Sequence, residues 1–257
     1  MRIVGLCLIG LASYLVAMVV FFPASPLIDR VRQQMPMVAM QGVNGKIYNG
    51  IIDSVRYTDD LLPLEFSNVG WTLAPSTLLS GGAGATIRFD AYGGQGVGKV
   101  QRQWNGDLVI NNFKANLLAK ELEPLLPVPV ASFSGEVSAD IEQMRLANQV
   151  LTRLSGALKW ENAVLESPVP TALGDVNIDI EQVEDEAHIV TVAARGGDVS
   201  ADGTVSITST GDFNADILLT PSGTAPVSVV DSLRQIGRPD SQGRVRIQQQ
   251  GNVNRLM

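Results

Sequence analysis

Cysteine, histidine and aromatic residues are scarce in this sequence, and the first two shortages exclude or disfavour several kinds of site. The 257 residues include one cysteine, Cys7, which excludes an intramolecular disulfide and a metal cage built from cysteines. The only histidine, His188, would have to share a zinc site with carboxylates alone, which is uncommon. A Ser-His-Asp triad would use the same histidine, but the sequence has no G-x-S-x-G elbow.

Charge and the remaining motifs also argue against binding or catalytic chemistry. The formal charge is −7, from 19 basic and 26 acidic residues, with no basic cluster, so no nucleic-acid partner is expected. The carboxylates are scattered and single out no glycosidase pair. Gly93 to Val100 nearly matches the phosphate loop G-x-x-x-x-G-K-[ST], but Val100 replaces the hydroxyl that would hold Mg²⁺, so a flexible hairpin loop is predicted. We therefore expect no catalytic residue, cofactor or metal, and no enzyme.

A long apolar run lies at the N-terminus. Ile3 to Phe22 carry no charge and, at about 1.5 Å per residue, are long enough to cross the roughly 30 Å hydrocarbon core of a bilayer. A cleaved signal peptide is the alternative, but its apolar region is usually shorter, and Phe22 fits the −3 position of a cleavage site poorly. Residues 1–22 are therefore predicted to be an uncleaved transmembrane anchor. Arg2 abuts the run, which favours a cytoplasmic N-terminus.

Residues 23–39 are predicted to form a short amphipathic helix and linker. Ser25 can cap the helix, Pro26 suits its first position and Pro36 ends it. The apolar stripe of this helix fits either the membrane surface or the body of the protein.

Residues 40–257 have the alternating pattern of half-buried strands. Apolar residues recur at every second position in Val176 to Ile180 and in Phe213 to Leu219, and turn glycines such as Gly203 and Gly211 separate the runs. The 25 glycines and 5% aromatic residues agree with this pattern. The predicted fold is mainly β: an N-terminal transmembrane helix followed by a curved antiparallel β-sheet meander with a few short helices.

Helical spacing predicts two further short helices, over Ala115 to Leu126 and over Pro226 to Ile236. Prolines close the first of these and mark a candidate sub-boundary near residues 124–130. The two halves of the body share one composition, so one continuous sheet with a kink and two separate domains both remain open.

The densest acidic run lies between two predicted strands. A solvated hairpin tip is the default interpretation of such a run, and a docking patch for a basic partner is the sharper one. The residues of this patch are Glu181, Glu184, Asp185 and Glu186.

Several segments resemble the type II secretion system protein N family, also called general secretion pathway protein N. The similar segments are Gly42 to Gly50, Val69 to Gly81, Leu154 to Ala163 and Gly203 to Pro221, which follow the N-terminal apolar run in the family's order. Tyr48 stands where the family leads us to expect tryptophan. The motif residues are Gly45, Gly50, Trp71, Pro75, Leu78, Leu79, Gly156, Trp160, Gly203 and Gly211.

The resemblance implies a location and partners. Members of this family have an inner-membrane anchor and a periplasmic body, in systems that export folded proteins across the outer membrane. The family has no known catalytic residues to transfer to this chain, and Trp71 and Trp160 are expected to be core anchors rather than binding residues.

Two functions are compatible with these features. The first is an accessory structural subunit that contacts other secretion subunits through sheet edges or a hairpin tip. The second is an AsmA-like, bridge-like envelope protein that binds or transfers lipid along a hydrophobic groove. Phe213, Ile217 and Leu219 discriminate between the two functions, because they would either close a dry core or line an open groove.

Overall fold

The chain folds around one large β-sheet. The structure is a computed structural model that describes residues 23–26, 28, 30, 37–58, 64–125, 131–148, 150–183, 187–208 and 210–252. Each strand pairs antiparallel with the strands next to it in sequence, from β1 at one edge to β13 at the other, which confirms the mainly β antiparallel meander. The strands are β1 (Val38–Gly45), β2 (Asn49–Tyr57), β3 (Leu64–Ala74), β4 (Gly82–Ala91), β5 (Gly94–Gln103), β6 (Leu108–Leu118), β7 (Ser132–Ala147), β8 (Val150–Ser167), β9 (Thr171–Gln182), β10 (His188–Gly196), β11 (Val199–Ile207), β12 (Asp212–Pro221) and β13 (Val245–Asn252).

The two faces of the sheet differ in polarity. Val192 in β10 pairs with Ile178 in β9 and Gly203 in β11, whereas the preceding residue, Thr191, pairs with Asp179. Successive side chains of a strand point to opposite faces, and paired residues point to the same face. We call the face that carries Val192 the apolar face and the face that carries Thr191 the polar face.

The turns divide between two ends of the sheet. Because consecutive strands are antiparallel neighbours, the turns after odd-numbered strands lie at one end and those after even-numbered strands at the other. Pro23 forms an isolated bridge with Lys46, in the turn between β1 and β2, and we call this end the Pro23 end. The opposite end carries a helix, Val227–Ile236, between β12 and β13, and we call it the helix end.

Three β-bulges contain an asparagine in the left-handed conformation. Asn68 in β3, Asn112 in β6 and Asn162 in β8 each have a φ of 50° and lie where the register with a neighbouring strand shifts. Asparagine tolerates positive φ better than other residues with a side chain. Each bulge adds an unpaired residue and moves the following side chains to the other face of their strand.

The predicted helix over Pro226 to Ile236 is confirmed, with Val227 as its first helical residue. Val229 and Leu233 lie on its inner side and form a buried cluster with Val199 and Val245. The helix therefore covers the apolar face at the helix end of the last strands.

The predicted helix over Ala115 to Leu126 is wrong over its first turn. Ala115 to Leu118 belong to β6, because their backbone groups pair with β7 from Glu136 to Ala139. A 3-10 helix follows over Ala119–Leu125 and contains Pro124, which cannot donate the backbone hydrogen bond that an α-helix needs. Leu126 lies outside the described residues.

Two of the motif glycines lie inside strands, and one of them, Gly203, was predicted at a turn. Gly203 pairs with Ile217 in the middle of β11 and β12, and Gly156 pairs with Ile141 within β7 and β8. A Cβ atom at Gly203 would lie 2.7 Å from the Ile217 side chain, so the glycine makes room for its cross-strand neighbour.

The sheet is continuous across the candidate sub-boundary near residues 124–130. β6 ends before this stretch and β7 begins after it, yet the two strands pair from Leu108–Leu146 to Leu118–Glu136. A second buried cluster, Ala163, Val176 and Ala194, lies on the apolar face of the strands that follow.

None of the helices in the described ranges is long and apolar enough to span a bilayer. The predicted anchor, Ile3 to Phe22, lies outside those ranges. Of the helix and linker predicted over residues 23–39, Ser25, Pro26, Ile28 and Arg30 are helical, and residues 27, 29 and 31–36 lie outside the described ranges. The linker is predicted too long, because Val38 and Ala39 already pair with β2 as part of β1.

Candidate functional site

The most extensive chemical feature of the molecule is the apolar face between β6 and β13. Three adjacent rows of paired residues cross these eight strands without a charged side chain. With about 4.8 Å between strands, the rows run for roughly 34 Å. The middle row is Ala115, Ala139, Leu158, Ile178, Val192, Gly203, Ile217 and Ile247, and all but Ala115 are only half-buried.

The residues chosen to discriminate a dry core from an open groove lie on this face. Phe213, Ile217 and Leu219 are all half-buried rather than buried. Among the described residues, the C-terminal helix covers only the end of the face near Leu219. Toward the Pro23 end, Ile141 and Ile180 are buried, and most other residues of the rows stay half-buried with no helix of the described ranges over them.

Trp71 is positioned by a glycine and a backbone carbonyl. Its Nε1 donates a hydrogen bond of 2.9 Å to the carbonyl oxygen of Ile47, in the turn between β1 and β2. The ring lies over Gly50, where a Cβ atom would be 2.4 Å from it. The half-buried indole thus fastens β3 to the turn that begins β2.

Trp160 repeats the same arrangement in the second half of the sheet. Its Nε1 donates a hydrogen bond of 3.0 Å to the carbonyl oxygen of Ser134. A Cβ atom at Gly135 would lie 2.8 Å from that nitrogen, and the ring of Phe133 packs edge-on with centroids 5.9 Å apart. Trp160 therefore joins β8 to the start of β7, as Trp71 joins β3 to the turn between β1 and β2.

Phenylalanine rings cross the first half of the sheet in a line. Phe66 and Phe89 have ring centroids 5.1 Å apart, and Phe89 and Phe113 have centroids 6.1 Å apart. Gly96 and Gly98 lie beside these rings: a Cβ atom would be 2.3 Å from Phe89 at Gly96, and 3.0 Å from Phe113 at Gly98.

The flexible loop predicted over Gly93 to Val100 is therefore wrong. Its residues from Gly94 onward belong to β5, and Tyr92 and Gly93 alone form the turn. The glycines are spaced by two because they leave room for cross-strand neighbours. Glycines at every second position, 94, 96 and 98, are the signal in the sequence that indicates a strand here.

The remaining motif residues lie mostly at the Pro23 end. Gly45 and Gly211 have φ angles of 105° and 83°, next to the turns that follow β1 and β11. Pro75 begins a 3-10 helix, Pro75–Leu78, in the turn after β3. Leu78 and Leu79 are 53% and 93% exposed.

The acidic docking patch is only partly described. Glu181 is exposed and pairs with Ile189 near the turn between β9 and β10. Glu184, Asp185 and Glu186 lie outside the described residues, so this patch stays a prediction.

One carboxylate at the Pro23 end is largely buried. Asp107, in the turn after β5, is 7% exposed and accepts hydrogen bonds from Arg145 Nε at 3.0 Å and Nη2 at 2.5 Å. Asn105 Nδ2 also donates to it, at 3.0 Å. The hydrogen bond from Arg145 is the main reason that the pKa of Asp107 lies below its ordinary value.

His188 has a structural contact that its isolation in the sequence does not suggest. It begins β10 on the apolar face and is 8% exposed. Its Nε2 accepts a hydrogen bond of 3.0 Å from the backbone N–H of Leu154 in β8. The ladder between β8 and β9 starts only at Gly156, so the imidazole reaches a donor beyond the start of that ladder.

Within the described ranges, no group of three or more His, Cys, Asp or Glu side chains could hold a metal ion. The described structure offers strands joined by tryptophan hydrogen bonds, two sheet edges and an apolar face that is only partly covered.

Comparisons with known proteins give the chain its family. The model of the family "Type II secretion system (T2SS), protein N" matches residues 36–248. The chain belongs to the type II secretion system protein N family. It is 27% identical over 264 residues to type II secretion system protein N of Vibrio cholerae serotype O1 (strain ATCC 39315 / El Tor Inaba N16961), covering 98% of this chain and 99% of that protein.

A second protein N relative, from Aeromonas hydrophila, is 24% identical over 251 residues, covering 95% of this chain and 96% of its own. No solved structure matches the chain. The expected family resemblance is thereby confirmed, and the chain is a protein of type II secretion, a form of protein transport.

Proposed function

We propose that this protein N family member is a non-catalytic accessory subunit of a type II secretion system. Ile3 to Phe22 anchor it in the inner membrane as a single span, and the sheet lies in the periplasm. It contributes to the export of folded proteins across the outer membrane through contacts with other secretion subunits. The family match over residues 36–248 carries this proposal.

The two sheet edges are the contact surfaces that we favour. In the described part of the chain, β1 pairs only with β2 and β13 only with β12. β1 contains no charged residue, and the single charge of β13, Arg246, is held in an ion pair by Asp216. Edges without free charges are ready to pair with another strand.

Photo-crosslinking in intact envelopes tests this proposal. A photoreactive residue would replace Gln41 in β1 or Gln250 in β13, both exposed edge positions, and Asp179 on the polar face of β9 as control. We expect crosslinks to secretion subunits from an edge and none from the control. If neither edge yields a secretion subunit, edge contact is refuted, and resistance to carbonate extraction tests the anchor separately.

A second function is favoured by the half-buried apolar rows of β6 to β13. Acyl chains could occupy this face without leaving a polar group unpaired, because its backbone groups are engaged in the ladders. We expect phospholipid to copurify with the full chain. Ile217→Asn would reduce the lipid found by mass spectrometry, whereas Thr204→Asn on the polar face would not. Equal lipid in both variants would contradict lipid binding at this face.

A further inference from the structure

We propose that the Pro23 end of the sheet rests on the lipid surface, with Leu78, Leu79 and Trp104 inserted at the boundary between headgroups and acyl chains. The inference rests on the proposed anchor, because it needs the residues before Pro23 to leave the membrane at that end. It adds a second, peripheral membrane contact to the single span.

The path of the chain places Pro23 at the same end as these side chains. Pro23 bridges Lys46, and the N–H of Ala24 donates a hydrogen bond of 3.1 Å to the carbonyl oxygen of Gly45. Ala24 is 2% exposed, so this contact is buried. Phe22, the last residue of the apolar run, directly precedes Pro23 in the sequence.

The hairpin of β3 and β4 reaches beyond the turn that holds Pro23. Asn49, which begins β2 just after that turn, pairs with Thr72. β3 continues to Ala74, and the 3-10 helix Pro75–Leu78 follows. Two extra strand residues add roughly 7 Å, so the end of β3 lies further toward the proposed bilayer than Asn49 does.

Three large apolar side chains are exposed together in the turns after β3 and β5 at the Pro23 end, which we call the rim. Leu78, Leu79 and Trp104 are 53%, 93% and 67% exposed. Their turns are adjacent, because the N–H of Trp104 donates a hydrogen bond of 3.0 Å to the carbonyl oxygen of Gly81. Single exposed leucines are ordinary, but an adjacent group marks an interaction surface. Tryptophan is enriched at bilayer interfaces, where its polar N–H stays wet.

The charges nearby are compatible with a lipid surface. Lys46 and Arg102 are basic, and the one carboxylate of these turns, Asp107, is paired with Arg145. Glu181, near the end of β9, lies four strands beyond β5, or about 19 Å along the sheet.

The test uses the full chain in phospholipid vesicles without other secretion subunits. In a Cys7→Ala background, a single cysteine replaces Leu79, or Val227 as a matched control, and carries an environment-sensitive fluorophore. Val227 is 75% exposed at the helix end. We expect lipids with a nitroxide near the headgroup to quench the label at 79 about twofold or more and to leave the label at 227 unchanged. Quenching of native Trp104 by brominated lipid, lost in Trp104→Phe, is the second readout.

Each outcome has a distinct meaning. Equal, water-like signals at both positions, with the protein retained after carbonate extraction, overturn the rim contact and leave the anchor intact. Release by carbonate refutes the anchor and, with it, the basis of this inference. Shielding of position 79 only after secretion subunits are added shows that a protein covers the rim and also overturns the inference.

Discussion

Trp160 donates the N–H of its indole to the carbonyl oxygen of Ser134, 3.0 Å away, and so joins the start of β7 to the middle of β8. Trp71 does the same with Ile47 at 2.9 Å. Both tryptophan motifs that relate this chain to its family thus have one geometry. In each, an indole reaches across to an earlier strand or turn and lies against a glycine.

Replacing either fastening tryptophan is predicted to destabilise the sheet. Trp160→Phe and Trp71→Phe keep a ring but lose the hydrogen bond, so we expect each to lower the free energy of unfolding by about 1–2 kcal/mol. Trp104→Phe is the matched control, because that side chain is 67% exposed. Urea unfolding followed by circular dichroism measures the difference, and equal effects for all three would contradict the prediction.

The glycine beneath each ring should be as sensitive as the ring. A Cβ atom at Gly50 would lie 2.4 Å from Trp71, whereas at Gly223 it would meet nothing within 4 Å. We therefore expect Gly50→Ala to cost about 1–3 kcal/mol through overpacking. Gly223→Ala should stay within about 0.5 kcal/mol of the parent. The midpoint of thermal unfolding reports both, and a stable Gly50→Ala protein would show that Trp71 can move aside.

Asp107 should make stability depend on pH in the acid range. Its pKa is lowered in the folded protein by Arg145, so its contribution is present above the unfolded pKa of about 3.9 and is lost as pH falls through the folded value. Asp107→Asn should be less stable than the parent at pH 7, and the difference should shrink as the pH falls through the folded pKa of Asp107. Asp179→Asn, at an exposed site, is the control. A difference that stays constant as the pH falls through the acid range would contradict this.

His188 is predicted to matter as an acceptor. His188→Phe keeps an aromatic ring but leaves the Leu154 N–H unpaired in a partly buried site, which should cost about 1–3 kcal/mol. His188→Gln retains a side-chain acceptor and should be the more stable of the two variants. Chemical denaturation ranks them, and Phe at least as stable as Gln would exclude this role.

The C-terminal helix should contribute through one side only. Leu233 is 6% exposed and Ile236 is 58% exposed on the same helix. We expect Leu233→Ala to cost about 2–4 kcal/mol, because it opens a cavity against Val199 and Val245. Ile236→Ala should change stability by less than about 0.5 kcal/mol. Comparable losses of stability for the two variants in thermal denaturation would contradict the packing of Leu233, rather than Ile236, against the sheet.

The meander was predictable because its cause is local. Period-two patterns such as Phe213 to Leu219 reach from turn to turn, and each strand needs only the next one as its partner. The helix over Pro226 to Ile236 was predictable for the same reason, since its apolar spacing and its flanking proline act within one segment.

What could not be predicted depends on neighbours distant in sequence. Ala115 to Leu118 have helical spacing but gain a ladder with β7, and that pairing overrides local preference. At the bulges of Asn112 and Asn162, the following side chains change to the other face of the sheet. The alternation of apolar and polar residues does not predict a residue in the left-handed conformation. Phe89 packs on Gly96 and Trp71 packs on Gly50 across neighbouring strands. These contacts can be identified only once the strand register is known.

The order of the strands also sets how the molecule can assemble. Every ladder joins a strand to its immediate predecessor, so a chain delivered N-terminus first always presents one finished strand as the template for the next. Contacts between sequence neighbours close short loops and form early. Folding can therefore proceed strand by strand from β1. Truncation after a complete hairpin should leave a shorter sheet in which the remaining strands keep their pairing.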